Sequence, residues 1–155
     1  MISDRGTADG WIRYTAKKGT TLRNTDAAPC SFVVTNAAYV LIDDIVLRDY
    51  TGESRWVVTL SDSENVRVRN CDFAGWGRRP ARVDYSRNDW LYGPGYGRDE
   101  DKKGDVIDYD GAVVLGHGAQ GSVIERCWFH DAVPNSCSWY YSHPKGCQAV
   151  IASGS

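Results

Sequence analysis

Asp105, Asp108 and Asp110 come together at the end of a long polar stretch of the chain. Alternate residues of an extended segment point to one side, so Asp108 and Asp110 would share a face. Such a pair suits a general base, a pair of calcium ligands, or the capping of the turn at Gly111. His117, between Gly116 and Gly118, is placed to face solvent, where an imidazole beside carboxylates exchanges protons near neutral pH. The plain alternative for a lone His is an ordinary surface residue. Further on, Trp139, Tyr140, Tyr141, His143 and Lys145 crowd a short segment just after His130, mixing proton-transfer groups with aromatic faces. Arg78 and Arg79 have the forked donors that grip carboxylates or sulfates. Tyr85, Trp90, Tyr92 and Tyr96 follow them, with Gly93-Pro94-Gly95 in their midst.

The elements that must hold these residues are set by a repeat. The segments 39–50, 65–76 and 121–132 align residue for residue, with columns Val40/Val66/Ser122, Ile42/Val68/Ile124, Ile45/Cys71/Cys127 and Leu47/Phe73/Phe129. The first offset is 66 − 40 = 26 residues and the second 122 − 66 = 56. The shorter offset is about one turn of a β-solenoid. The longer one is the same turn plus 30 residues, expected to loop out between Gly77 and Asp108. A second block, at Cys30–Val34, Trp56–Leu60 and Ala112–Gly116, is expected to obey the same two offsets, with His117 in an outward column with Thr35 and Ser61. Within each block apolar residues alternate with polar ones, as in strands with one buried face. No long stretch has helical periodicity, and Gly, Asn and Asp interrupt the chain every few residues. Stacked turns would pair as parallel strands about 4.8 Å apart, laddering Cys71 over Cys127 and Phe73 over Phe129. The connection geometry favours a right-handed coil.

Residues 11–14 and 21–24 look like parts of an earlier coil, and 148–152 like the opening strand of a later one. Terminal solenoid repeats need polar caps. Neither end shows a clear capping helix, so the chain is expected to be an internal piece of a longer solenoid, or to pair its ends with other chains. Its 155 residues make one domain, 1–155, with insertion loops at 78–107 and 131–147. A net charge of −2 argues against nucleic acid as a partner, and no run approaches membrane-spanning length. The first ten residues contain no apolar signal-peptide core.

Five cysteines leave at least one unpaired within the chain. Cys71 and Cys127 fall in an inward column, where a thiol packs as a small apolar group and where ladder spacing also permits a disulfide. Cys137 and Cys147 bracket a loop that a bridge would staple in an oxidising compartment. The absence of any CxxC spacing argues against a metal site built on cysteine.

The segment DGAVVLGHGAQGSVIERCWF (110–129) resembles a turn of the right-handed parallel β-helix of pectate-lyase-like proteins, and the resemblance covers most of 11–152. It implies an extracellular or periplasmic protein with an acidic polysaccharide bound in a groove along one sheet. Calcium-dependent pectate lyases carry an Asp within the strand after DGA; Val113 and Val114 stand there, so that calcium site is not carried over. Asn24-Thr25-Asp26, Asp43-Asp44 and Gly116-His117-Gly118 resemble in order the motifs of polygalacturonases, but no RIK follows. The expected function is cleavage of an acidic polysaccharide by a lyase or a hydrolase; the alternative is a non-catalytic carbohydrate-binding or structural solenoid. A lyase must neutralise a uronate, abstract a proton and protonate the leaving oxygen. The catalytic candidates are His117, Asp108, Asp110, His143 and Lys145, and the substrate-binding candidates Arg78, Arg79, Trp90, Tyr92, Tyr96, Trp139 and Tyr141. Ca2+ is the one cofactor these acids suggest.

Overall fold

A computed structural model describes residues 1–24, 31–50, 56–77, 111–132 and 148–152. The described residues form thirteen strands and no helix. They are β1 (Ile12–Thr15), β2 (Thr21–Arg23), β3 (Phe32–Thr35), β4 (Ala38–Asp43), β5 (Val46–Arg48), β6 (Trp56–Ser61), β7 (Ser63–Arg69), β8 (Asp72–Ala74), β9 (Gly111–Leu115), β10 (Ala119–Gln120), β11 (Val123–Glu125), β12 (Trp128–His130) and β13 (Gln148–Ala152). Three sheets result, ordered β1-β4-β7-β10 with β11 also on β7, then β2-β5-β8-β12, and β3-β6-β9-β13. Every pairing between these strands is parallel. Apart from β10 and β11, which both pair with β7, successive strands therefore go to different sheets, and the chain returns to each sheet one layer on.

The expected columns are present. Val40 pairs with Val66, Ile42 with Val68 and Val68 with Ile124. Leu47 pairs with Phe73 and Phe73 with Phe129, whose rings stack at 4.9 Å. Inward side chains of all three sheets meet in a single apolar core, with Val34, Ile42, Leu47, Val58, Val66 and Phe73 fully buried. Each such side chain contributes about 1.5–3 kcal/mol by leaving water. The early and late pieces also fall into place, β1 on β4, β2 on β5 and β13 on β9. Ahead of them, Ile2 bridges to Val34 and Arg5 to Ala38.

The corners between strands, and a bend near the start of β4 and β7, are built by left-handed residues that ladder as strictly as the core. Asn36, Asp62 and Gly118 form one such column; Tyr39, Asn65 and Gly121 a second; Asp44, Asn70 and Arg126 a third; Asp49, Gly75 and Asp131 a fourth, all with positive φ. Asn, Asp and Gly tolerate this region, whereas Tyr39 and Arg126 adopt it at a cost of about 1 kcal/mol or more each.

One expectation on register is corrected. In the third sheet Val58 pairs with Val113, an offset of 113 − 58 = 55, not 56. The connection from Ala74 to Gly111 spans 75–110, or 36 residues, against 7 (49–55) in the preceding turn, so it accounts for 36 − 7 = 29 of the 30 extra residues. The thirtieth is His117. Leu60 pairs with Leu115 and Ser63 with Ala119, leaving two residues on one side and three on the other. Continuing the register puts Gly116, not His117, over Ser61. Asp62 N–H donates to the His117 carbonyl and Ser63 N–H to that of Gly118, at 2.8 and 3.0 Å. A Cβ at Gly118 would lie 2.9 Å from Asp62 Oδ1 and 3.0 Å from its Cα, so glycine lets the extra residue bulge while the backbones stay in contact.

Candidate functional site

Because Leu47, Phe73 and Phe129 point inward, their neighbours in β5, β8 and β12 must point outward. Two outward columns result on the second sheet, one of Val46, Asp72 and Trp128 and one of Arg23, Arg48, Ala74 and His130. They bring together the one described cluster in which an imidazole, carboxylates, a guanidinium and an exposed aromatic ring meet. Arg48 grips Asp72 through both arms, Nη1 to Oδ1 at 2.9 Å and Nη2 to Oδ2 at 2.5 Å. His130 Nε2 contacts Asp72 Oδ1 at 2.9 Å, and its Nδ1 contacts Asp131 Oδ2 at 2.7 Å. A carboxylate stands at each nitrogen, an arrangement that favours the protonated ring. Asp131 and then Asp72 accordingly raise the His130 pKa above its ordinary value. Burial works to raise Asp72, but Arg48 and His130 outweigh it and leave its carboxyl below the usual range. Trp128 lies over His130 with ring centroids 4.0 Å apart and is 64% exposed. Arg23 extends the cationic column and is paired with Asp49.

The stems of both long connections adjoin this cluster, since Gly75 follows Ala74 of β8 and Asp131 follows His130 of β12. Gly75 N–H donates to the Asp131 carbonyl at 3.0 Å, tying the two exits together. Trp76, 4% exposed, packs edge-on against Phe129 and donates from Nε1 to the Gln148 carbonyl at 3.1 Å, fastening the first stem to the strand that follows the second.

Of the candidates drawn from sequence, His117 is described. It is solvent-facing as expected, with its side chain 81% exposed and Nδ1 3.5 Å from Asp62 Oδ1, on an open depression lined by Leu115, Gly116, Gln120 and Ala152. Asp108, Asp110, His143, Lys145, Arg78, Arg79, Trp90, Tyr92, Tyr96, Trp139 and Tyr141 lie outside the described residues. Of the polygalacturonase-like motifs, Thr25 and Asp26 lie outside the described residues, and the other two motifs are not brought together: Asp43 ends β4, whereas His117 occupies the corner between β9 and β10, at the opposite end of the strands of the first sheet. Asp43 is 2% exposed and saturated by Arg13, Arg69 and Asn70, and Asp44 is a left-handed corner residue. Among the described residues no three of His, Cys, Asp and Glu are grouped to hold a metal ion; Asp105, Asp108 and Asp110 are outside them. No helix among those residues is long and apolar enough to cross a membrane.

Sequence reasoning named His130 only as the start of the second excursion and missed Arg48, Asp72 and Trp128. The signal was in the aligned columns. Once Phe73 and Phe129 are inward, a Trp and a His on either side of Phe129 can only be outward, over Asp72 and Ala74 of the layer before. Comparison with protein-family models, curated proteins and solved structures finds no match.

Proposed function

We propose that this chain is a right-handed parallel β-helix, similar in architecture to pectate-lyase-like proteins, that binds an acidic polysaccharide along the sheet β2-β5-β8-β12 in an extracellular or periplasmic setting. The observation that carries the reading is Trp128, a large aromatic left 64% exposed on a flat parallel sheet and braced from below by His130. A ring held in that way offers its outer face to the C–H surface of a sugar. Arg23, Arg48 and His130 stand in one column beside it, on the first, second and fourth strands of the sheet with Ala74 on the third, so uronate groups of a chain laid along the column would meet cations on three of its four layers.

Binding is favoured over proton abstraction by His130 itself, because each of its nitrogens already contacts a carboxylate, Asp72 or Asp131, rather than open space where a substrate proton could sit. Cleavage, of lyase or hydrolase type, is the second reading. The stems at Gly75 and Asp131 support it, for they adjoin the cluster and lead along the sequence into the segments that carry Arg78, Arg79, Asp108, Asp110, His143 and Lys145. Titrating the protein with polygalacturonate, with dextran as a neutral control, while following tryptophan fluorescence tests the first reading. Saturable quenching by the uronate polymer that Trp128→Ala abolishes is expected; equal responses in wild type and variant would reject the site. Unsaturated or new reducing ends in the same mixture would establish cleavage.

A further inference from the structure

We propose that Cys71 and Cys127 form a reversible disulfide that staples two adjacent layers across the long connection. The two residues immediately precede Asp72 and Trp128, which are paired in register, and Trp128 N–H donates to the Cys71 carbonyl at 2.9 Å. In-register parallel strands place such neighbours about 4.8 Å apart, inside the Cα range that a disulfide accepts. Both side chains lean the same way. Cys71 Sγ reaches the carbonyls of Arg69 at 3.2 Å and, one layer back, Ile42 at 3.8 Å. Cys127 Sγ does the same to Glu125 at 3.4 Å and Val68 at 3.5 Å, so its sulfur reaches back towards the layer that holds Cys71.

The layout also sets the order of events. Cys71 is buried and Cys127 half-buried, and both are free thiols. Cys127 is the more accessible of the two sulfurs, so an external oxidant meets it first. The neighbouring Cys71 thiol also lowers the Cys127 pKa, while Cys127 and burial push the Cys71 thiol up, so Cys127 is the attacking sulfur. With a small-molecule disulfide as oxidant, the Cys127 thiolate attacks one of its sulfurs, forming a mixed disulfide and expelling one thiolate. Cys71 then displaces the second small thiolate, its proton passing to solvent or to the departing sulfur. The protein loses two hydrogens as one external disulfide becomes two thiols. The bridge would join the layers on either side of the 36-residue connection (75–110).

The test uses the full chain incubated with glutathione mixtures of rising oxidised fraction, followed by alkylation, proteolysis and mass spectrometry. A Cys71–Cys127 linked peptide, a mass loss of two hydrogens and a melting temperature raised by about 10 °C are expected, the last being the size that closing a loop of this length implies. Replacing Cys30, Cys137 and Cys147 with Ser should leave all three results intact, whereas Cys127→Ser should abolish them. Quantitative alkylation of both thiols in fully oxidised glutathione would overturn the proposal. So would a linked peptide joining Cys127 to any other cysteine.

Discussion

Two outward faces of the stack each hold an aspartate between two cations, and they differ in what is left over. On the first sheet Asp43 is sealed: Arg13 Nη2 at 2.8 Å, Arg69 Nε and Nη2 at 3.1 and 2.9 Å and Asn70 Nδ2 at 2.9 Å use up its oxygens, and 2% of the residue is exposed. On the second sheet Asp72 is held by Arg48 and His130 but keeps a quarter of its side chain in solvent, under a tryptophan that has no cover. Both clusters hold charge, but the first spends it on joining layers. Arg13, Asp43 and Arg69 come from three successive strands of one sheet, so their ion pairs tie the stack along its axis. The second keeps a face available. The composition of a charged cluster therefore says less than the accessibility of the residues around it.

The largest effect expected from this contrast is on stability. Asp43→Ala strands two guanidinium groups and an amide around a vacated buried position, and should cost about 3 kcal/mol, seen as a melting temperature lowered by roughly 10 °C. Asp72→Ala removes a partly solvated partner and should cost about 1 kcal/mol or less. If the two variants melt together, the distinction between a sealed and an open cluster is wrong.

A smaller effect separates the faces by binding. Trp128→Ala should weaken polygalacturonate binding about tenfold, at the upper end of what an aromatic stack contributes, while moving the melting temperature by no more than 1–2 °C, since about two thirds of the ring already faces water. Trp11, on the first sheet, is engaged edge-on by Tyr39 at 5.6 Å and covered by Arg67 at 5.0 Å from its ring. Trp11→Ala should leave binding unchanged, and isothermal calorimetry on the pair of variants decides the matter.

How much of this was legible beforehand follows from which residues obey the repeat. Val40, Ile42, Leu47 and their successors identify themselves because burial demands the same small set of apolar residues layer after layer, and their register came out as the alignment of columns implied. The His117 bulge was hidden because a single inserted residue between two glycines leaves both flanking apolar patterns intact; only the pairing of Leu60 with Leu115 exposes the shift. The Trp128–His130–Asp72 cluster was hidden for the opposite reason. Asp72 lies 56 residues from Trp128 and 58 from His130, so no local motif joins them, and only the alternation about Phe73 and Phe129 in the aligned columns places all three on one outward face.

Titration sharpens the comparison further. Asp43 is held low chiefly by the Arg69 hydrogen bond, against the opposing effect of burial, and Asp72 is also lowered. Both contribute stability that is present above about pH 3.8 and lost as the pH falls through their depressed folded values. His130 is raised from 6.5, so its contribution is complete below that pH and disappears as the pH climbs through its higher folded value. Stability measured by urea unfolding should therefore fall at both ends, and His130→Gln should flatten the alkaline limb and reduce only the Asp72 part of the acid one, since His130 helps hold Asp72 low. Asp43→Asn should remove the Asp43 part of the acid limb and leave the alkaline one. An alkaline limb that survives His130→Gln would show that the imidazole is not held between two carboxylates.

The smallest effect belongs to His117. Its side chain and that of Asp62 are 81% and 59% exposed and 3.5 Å apart, the situation in which an ion pair contributes little. His117→Asn should change the melting temperature by no more than 1–2 °C, because the bulge depends on the glycines on either side and on backbone bonds to Asp62 and Ser63, none of which involves the imidazole. Binding of polygalacturonate should likewise be unaffected, since His117 sits at the corner between the third and first sheets and Trp128 on the second. This is the sharpest test of where the working face lies. A large loss of binding or of product formation in His117→Asn, with Trp128→Ala unaffected, would move that face to the corner beside Asp62. The open cluster on β8 and β12 would then stand as a second set of ties between layers, like the one around Asp43.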